Sequence, residues 1–210
     1  MTSNYIFVGP QGSGKGTQAK IIATKYNLCH ISTGDLLRNA QGELKEKADE
    51  YMLSGKLVPD EIVLSLLKEK LQSSGCENGF ILDGFPRNIT QAEQLDKITK
   101  IDAVFNIVIS DDEAIKRLEG RRNCPSCGAN YNIVTAPKPN VDNICDICQS
   151  KLVKREDDNE QAIKNRLEIY HKETSPILKH YNTIPVNGEQ DIDKVTEDIL
   201  KAIKMLNFFK

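Results

Sequence analysis

The chain has 210 residues, enough for one sizeable hydrophobic core with an inserted subdomain but short for two independent domains. Hydrophobic residues make up 39% and charged residues 28%, which is ordinary for a soluble globular protein. The formal net charge of -2 excludes a general attraction to nucleic acid or anionic membranes, so any cationic site has to be local. The chain opens without a basic stretch and a long apolar run, and no window reaches the length of a membrane span. The sequence therefore predicts a cytoplasmic protein with no membrane partner.

Most of the chain alternates continuous apolar runs with amphipathic segments. Strands are predicted at 5–8, 80–83, 103–109 and 184–186, and a further short strand is predicted to end near residue 31. Helices are predicted at 15–26, 36–40, 42–54, 60–73, 90–97, 111–120 and 159–181, with a last helix at the C-terminal end. The segment 122–158 breaks the alternation, which indicates an insertion. Apolar strands separated by helices predict a parallel sheet covered on both faces, with ligands bound beyond the carboxyl ends of the strands.

A glycine-rich turn follows the first predicted strand directly. Residues 9–17 read Gly-Pro-Gln-Gly-Ser-Gly-Lys-Gly-Thr, so successive backbone N–H groups can point into one concavity at the start of a helix. Lys15 adds a fixed positive charge, and Thr17 offers a hydroxyl to Mg²⁺. Gly16 stands where a serine or threonine usually follows the lysine of a phosphate loop. The segment therefore predicts a site for the phosphates of a nucleotide. The departure from the usual pattern at Gly16 reduces the number of phosphate-loop families to which the chain could belong.

Four cysteines stand in the insertion as two C-x-x-C pairs with 17 residues between the pairs. They are Cys124, Cys127, Cys145 and Cys148. Four thiolates at this spacing close a tetrahedral shell, so the pattern predicts a structural metal, zinc or iron, rather than a catalytic one. Disulfides within this set are the alternative, which a reducing cytoplasm disfavours. A nucleic-acid-binding zinc ribbon is the rival class, but the nearby basic and aromatic residues are too sparse, so no nucleic-acid partner is predicted.

The remaining cysteines, Cys29 and Cys76, stand alone in the sequence and are predicted to be small buried apolar residues.

The arginines of the chain lie mostly beside predicted turns or at the ends of the insertion. They are Arg38, Arg87, Arg117, Arg121, Arg122, Arg155 and Arg166. A guanidinium stays charged and binds two phosphate oxygens at once, which suits the charge neutralisation that phosphoryl transfer needs. Together with the phosphate loop these arginines predict a second anion site. A non-enzymatic ATP-binding switch would not need one.

Four segments resemble the signature segments of the adenylate kinases, in order and in spacing. They are residues 9–17, the stretch Ser-Thr-Gly-Asp-Leu-Leu-Arg at 32–38, Asp-Gly-Phe-Pro-Arg at 83–87 and Arg-Glu-Asp-Asp at 155–158. The resemblance covers nearly the whole chain, and the insertion is similar to the long, zinc-bearing lid found in part of this nucleoside monophosphate kinase family. It implies a P-loop three-layer α/β/α fold with a five-stranded parallel sheet. The implied core is 1–31, 62–121 and 159–210, with a helical NMP-binding flap at 32–61 and a zinc-binding lid at 122–158.

The resemblance also implies the activity, which is reversible transfer of the γ-phosphoryl group of ATP to AMP, giving two ADP, by a monomer that uses Mg²⁺ with ATP. The implied catalytic residues are Lys15, Asp83, Arg87, Arg117, Arg121, Arg155 and Arg166. The implied ATP contacts are Gly12, Ser13, Gly14, Lys15, Gly16, Thr17, Arg121, Asn130, Tyr131 and Gln190. The implied AMP contacts are Thr33, Arg38, Lys56, Leu57, Val58, Gly84, Phe85, Pro86, Arg87, Gln91, Arg155 and Arg166. The four lid cysteines are implied as the zinc ligands.

A UMP/CMP-type kinase on the same scaffold is the alternative, because it resembles this chain in the phosphate loop and at 84–87. Two residues favour adenine over a pyrimidine. Thr33 stands where those enzymes tend to have alanine, and Gln91 stands where they tend to have asparagine. The long lid is also atypical of them, so AMP is the expected acceptor.

Overall fold

The computed structural model describes residues 2–73 and 75–208. Met1, Ser74, Phe209 and Lys210, which the expected core boundaries include, lie outside the described residues. The strands are β1 Ser3–Val8, β2 Cys29–Ser32, β3 Gly79–Asp83, β4 Ala103–Val108, β5 Arg121–Asn123, β6 Asn130–Asn132 and β7 Thr183–Asn187. Five of them form one parallel sheet in the order β2-β3-β1-β4-β7, as expected. Strands β5 and β6 pair antiparallel as a separate small sheet inside the insertion.

The described residues form α-helices, several of which cover the two faces of the five-stranded sheet. They are α1 Lys15–Tyr26, α2 Thr33–Arg38, α3 Gly42–Leu53, α4 Asp60–Gln72, α5 Ile89–Asp96, α6 Asp111–Gly120, α7 Glu160–Ile169, α8 Ile177–His180 and α9 Ile192–Phe208. None of the helices described is long and apolar enough to cross a membrane.

Strand β1 lies at the centre of the sheet, and this position explains why its sequence is apolar without interruption. Successive side chains of a strand point to opposite faces. Tyr5 and Phe7 pack in one cluster with residues of α1 and α9, whereas Ile6 and Val8 pack in another with residues of α4 and α5. Because both faces are covered, both sets of side chains are buried.

The long helix predicted over 159–181 is wrong, because the structure breaks it into α7, a π-helical turn at Tyr170–Thr174, and α8. The N–H of Ser175 donates to the carbonyl of Tyr170 at 2.7 Å, five residues back, which is the π pattern. Pro176 then has no N–H to continue the ladder. The wider turn brings Thr174 to the loop after β3, where its hydroxyl donates to the carbonyl of Arg87 at 2.8 Å.

The prediction that Cys29 and Cys76 are separate, buried apolar residues is also wrong, because both are only partly buried and they are joined by a disulfide. Cys29 opens β2, and Cys76 lies in the loop between α4 and β3. Strands β2 and β3 are neighbours in the sheet, so the start of one strand meets the loop that enters the other. The sequence offers no local signal for this pairing, since the two residues are separated by 47 positions.

Candidate active site

The glycine-rich turn forms the loop between β1 and α1, and its geometry requires glycine. Gly9 has φ 148°, and a Cβ there would lie 2.4 Å from the carbonyl oxygen of Ile107. Gly14 has φ 93° and caps the N-terminus of α1 in the left-handed conformation. The start of a helix and its free N–H groups favour anions. The predicted phosphate contacts, Gly12, Ser13, Gly14, Lys15, Gly16 and Thr17, all line one cleft of about 630 Å³.

Lys15 is folded over the loop that it follows. Its ammonium group donates to the carbonyls of Gly9 and Pro10, each at 2.7 Å. Desolvation lowers the pKa of Lys15 to about 8, against the raising effect of Asp83, and the neighbouring charges of Arg87 and Arg121 lower it further. Burial and the two neighbouring arginines therefore make the charged form of Lys15 less favourable than that of an exposed lysine.

Asp83 ends β3 beside the loop and gives a reason for the unusual Gly16. A Cβ at Gly16 would lie 3.0 Å from Oδ2 of Asp83, closer than a side chain normally approaches an oxygen. A serine or threonine here would push against this carboxylate. The hydroxyl of the loop is instead carried by Thr17, one position later. Asp83 and Thr17 line the same cleft.

The predicted AMP contacts lie mostly on the wall of this same cleft. Those that line it are Thr33, Arg38, Lys56, Leu57, Val58, Gly84, Pro86, Arg87, Gln91, Arg155 and Arg166. The carbonyl of Gly84 accepts from the Thr33 hydroxyl at 2.9 Å and from Nε of Arg87 at 2.8 Å. Burial lowers the pKa of Arg87 to about 10, with a further contribution from Arg166. Phe85 differs, because its side chain is 1% exposed and packs in the hydrophobic core. Phe85 therefore does not line the cleft, unlike the neighbouring Gly84 and Pro86.

Two buried carboxylates, Asp157 and Asp158, hold several arginines in place. No role for either of them is predicted from the sequence. Asp158 is fully buried and accepts from Nε of Arg121 at 2.7 Å and from Nη1 of Arg166 at 3.4 Å. Asp157 accepts from Nη2 of Arg166 and lies 3.8 Å from Nη1 of Arg38. Burial opposes ionisation of Asp157, but Arg166 outweighs it and lowers the pKa of this carboxyl. Consecutive acids beside an arginine are the one sequence signal that could have found this pairing.

Arg155 is held by amides of the small sheet. Its Nε donates to Oδ1 of Asn123 at 2.6 Å, and its Nη2 donates to Oδ1 of Asn130 at 3.0 Å. Burial lowers the pKa of Arg155 to about 10, and Arg121 adds to the effect. Asn130, predicted as an ATP contact, thus lines the cleft and orients an arginine.

Arg117, predicted as a catalytic residue, and Gln190, predicted as an ATP contact, both line the cleft and contact the protein. Nε of Arg117 donates to Glu113 at 2.7 Å, and Nη2 donates to the carbonyl of Gly188 at 2.9 Å. Gln190 donates from Nε2 to Asp198 at 2.8 Å. The contacts of Arg117 fix its guanidinium between α6 and the loop after β7.

The four lid cysteines meet in one cluster, as predicted. Their sulfur atoms all lie within 4.8 Å of one another, with Cys124 and Cys148 at 3.3 Å and Cys127 and Cys145 at 3.5 Å. Tetrahedral zinc with Zn–S distances of about 2.3 Å needs sulfur atoms about 3.8 Å apart, so the cluster fits the ion.

Tyr131 connects this cluster to the cleft. It lines the cleft, but its side chain is 6% exposed and its hydroxyl reaches the cysteines. The hydroxyl accepts from the N–H of Asp146 at 2.9 Å and lies 3.6 Å from Sγ of Cys145. The predicted contact of Tyr131 with ATP would therefore use its ring edge or backbone.

A phosphate loop and a second, arginine-rich anion site on one cleft of a parallel α/β sheet define a P-loop nucleoside monophosphate kinase. The family model described as "Adenylate kinase" matches residues 7–186. The chain belongs to the adenylate kinase family.

Curated relatives named "Adenylate kinase" match along almost their full length. The protein from Archaeoglobus fulgidus is 47% identical over 216 residues, which is 96% of this chain and 99% of the relative. The protein from Methanocella arvoryzae is 46% identical over 214 residues, again 96% and 99%. The protein from Caldicellulosiruptor saccharolyticus is 46% identical over 210 residues, 94% of this chain and 97% of the relative. These matches give no support to the UMP/CMP alternative.

Proposed function

We propose that the enzyme transfers the terminal phosphoryl group of ATP reversibly to AMP, giving two ADP. The observation that carries the proposal is that one cleft bears both the phosphate loop and a separate set of arginines. One anion site would serve a single nucleotide, whereas two facing sites suit a donor and an acceptor.

On the donor side, the loop from Gly12 to Thr17 binds the ATP phosphates, and Lys15 contacts the group in transfer. Arg121 and Arg117 approach from the lid edge and from α6, and Asn130, Tyr131 and Gln190 border the nucleoside. Oxygen ligands suit Mg²⁺, and Thr17 with Asp83, through water, would hold the ion. When bound, Mg²⁺ neutralises charge on the phosphates.

On the acceptor side, Thr33, Arg38, Arg87 and the stretch 56–58 bind AMP, and Gln91 contacts the adenine edge. The buried position of Gln91 supports this role, since a buried amide left unpaired by a pyrimidine is costly. Gly84 and Pro86 shape the same wall, and Phe85 packs behind it in the core.

The chemistry is an in-line displacement at the γ-phosphorus. A bond forms from a phosphate oxygen of AMP as the bond to the β,γ-bridging oxygen breaks, and ADP leaves. The attacking oxygen is already anionic, so no side chain has to remove a proton. Arg87, Arg121, Arg155 and Arg166 stabilise the charge on the phosphoryl group, and they do so most strongly when water is excluded.

Water is the competing acceptor, so the flap at 32–61 and the lid at 122–158 are proposed to close over the core formed by 1–31, 62–121 and 159–210. The position of Arg121 and Arg155 at the base of the lid supports this arrangement, because closure would bring both to the phosphates. Four thiolates with a closed shell support a structural zinc in the lid. A monomeric state and a cytoplasmic location stay predictions.

The test of the proposal is acceptor selectivity. ADP formation is measured with MgATP and with AMP, CMP, UMP or GMP as acceptor. We expect AMP to be preferred by at least about a hundredfold in kcat/KM, because a pyrimidine ring is too small to reach the buried amide and guanine presents a donor and an acceptor in the opposite order. Gln91→Ala should lose most of this preference, whereas Gln94→Ala, on the same helix but outside the cleft lining, should keep it. Equal or faster turnover with CMP or UMP would overturn the proposal.

A further inference from the structure

The side-chain amide of Gln91 is locked in one orientation by two partners on the protein. Its Oε1 accepts from the backbone N–H of Arg87 at 2.7 Å, and its Nε2 donates to Oδ1 of Asp60 at 2.5 Å. A backbone N–H can only donate and a carboxylate can only accept, so the oxygen and nitrogen of the amide cannot be exchanged. Gln91 is 2% exposed, so water cannot replace either of these two partners.

Asp60 is itself held in place. Nδ2 of Asn88 donates to both carboxylate oxygens of Asp60, at 3.1 and 3.2 Å. Oδ1 of Asn88 accepts from the N–H of Gln91 at 2.8 Å, which caps α5. Asp60 is the first residue of α4, where the helix N-terminus favours a negative charge. The carboxylate is therefore fixed relative to both helices.

This arrangement leaves Gln91 with a defined hydrogen-bonding face. A primary amide has two N–H donors and two acceptor lone pairs. Asp60 uses one donor and Arg87 uses one lone pair, so one donor and one acceptor remain side by side for a ligand. Gln91 lines the cleft, where that pair is available.

The remaining donor and acceptor of the Gln91 amide can pair with adenine in only one orientation of the amide. Adenine offers an acceptor at N1 beside donors on N6. Hypoxanthine, the base of IMP, offers a donor at N1 beside an acceptor at O6, so it needs the amide reversed. An amide free to rotate would satisfy either base, whereas a locked one satisfies only one of them.

We propose that Asp60 is a specificity-determining positioning residue, which selects AMP over 6-oxopurine monophosphates by fixing the orientation of the Gln91 amide. The proposal deepens the proposed function and rests on it, since it assumes that AMP binds beside Gln91. Asp60 acts through Gln91 and does not itself need to touch the nucleotide.

The test compares kcat/KM for AMP and IMP in the native enzyme and in Asp60→Asn. An asparagine can either accept from or donate to Gln91, so the substitution removes one of the two constraints on the amide and keeps the size of the side chain, while the Arg87 N–H remains. We expect the AMP to IMP ratio to fall by about ten- to a hundredfold, the worth of one hydrogen bond to a charged group. The change should appear in the KM values of the acceptors, with the KM for ATP unchanged.

Glu61→Gln is the matched control. It removes one charge from the same helix turn, is exposed, and makes no contact with Gln91 among the hydrogen bonds described. Its ratio should match that of the native enzyme. If Asp60 only stabilised α4, Asp60→Asn would lower the melting temperature and slow both acceptors equally, and an unchanged ratio would overturn the inference.

A second variant keeps the test decisive if Asp60→Asn fails to fold. Asn88→Ser retains a side-chain oxygen that can cap α5 but removes both hydrogen bonds to Asp60. It should lower the ratio in the same direction, and a native ratio in this folded variant would also overturn the inference. Failure of the proposed function looks different, because the native enzyme itself would then show no preference for AMP.

Discussion

Single residues of the phosphate loop were predicted from sequence because their chemistry is local. Lys15 and the glycines act through neighbours a few positions away, so their spacing carries the information. The roles of Asp157, Asp158 and Asp60 could not be read in the same way. Each depends on a partner brought close by folding, and a carboxylate beside charged residues looks in sequence like an ordinary solvated group.

At the residue scale, the lowered pKa of Lys15 predicts a pH limit on ATP use. With a pKa of about 8, the ammonium group loses its proton as the pH rises past that value, while ATP is already fully ionised. We expect kcat/KM for ATP to fall by up to tenfold per pH unit above about pH 8. A pH series at saturating AMP measures this.

Lys15→Met is the control for this fall in kcat/KM above about pH 8, the alkaline limb of the pH profile. Methionine carries no charge at any pH. Turnover should drop by about a thousandfold or more, the usual loss when a group that stabilises transferring phosphate is removed. The remaining activity should show no limb near pH 8, and unchanged circular dichroism should show that the fold is intact. A limb that persists in Lys15→Met would assign the titration to another group.

At the scale of elements, strands and most helices followed from periodicity, but two long-range features did not. The break at Tyr170–Thr174 depends on a contact between Thr174 and the loop after β3. The link between Cys29 and Cys76 depends on β2 and β3 becoming neighbours in the sheet. Periodicity describes which face of an element is buried and carries no information about either contact.

The four-cysteine cluster predicts a metal-dependent lid. A metal that binds only the folded lid stabilises it, so removing zinc should lower the melting temperature. Catalysis at low temperature should persist, because a closed four-thiolate shell leaves no position for substrate. Calorimetry and ADP formation with and without a chelator measure the two effects. Elemental analysis that finds neither zinc nor iron in the reduced protein would contradict the assignment.

The disulfide predicts a second contribution to stability. Closing a loop of 47 positions is worth about 4 kcal/mol in the chain-entropy model, and its loss should lower the melting temperature by roughly 10 °C. The measurement is thermal unfolding with and without a non-chelating phosphine reductant. The double variant Cys29→Ser with Cys76→Ser should not respond to the reductant. If alkylation of the unfolded, unreduced and metal-free protein modified all six cysteines, the disulfide would be refuted.

At the scale of the whole molecule, the parallel sheet could be predicted because uninterrupted apolar strands need cover on both faces. Its strand order brings β1, β2 and β3 together, so the phosphate loop, Thr33 and Asp83 meet at one edge. The lid and flap were placed by resemblance, since spacing alone does not say which surface an insertion faces. Residues of the four signature segments line one cleft, and this is what makes transfer between two nucleotides possible.

The most direct test of that claim is calorimetric titration with a bisubstrate dinucleotide, two adenosines joined by five phosphates. We expect one molecule to bind per chain, and the saturated enzyme to bind neither ATP nor AMP. Binding of AMP with unchanged affinity to the saturated enzyme would show that the two nucleotides do not meet in one cleft.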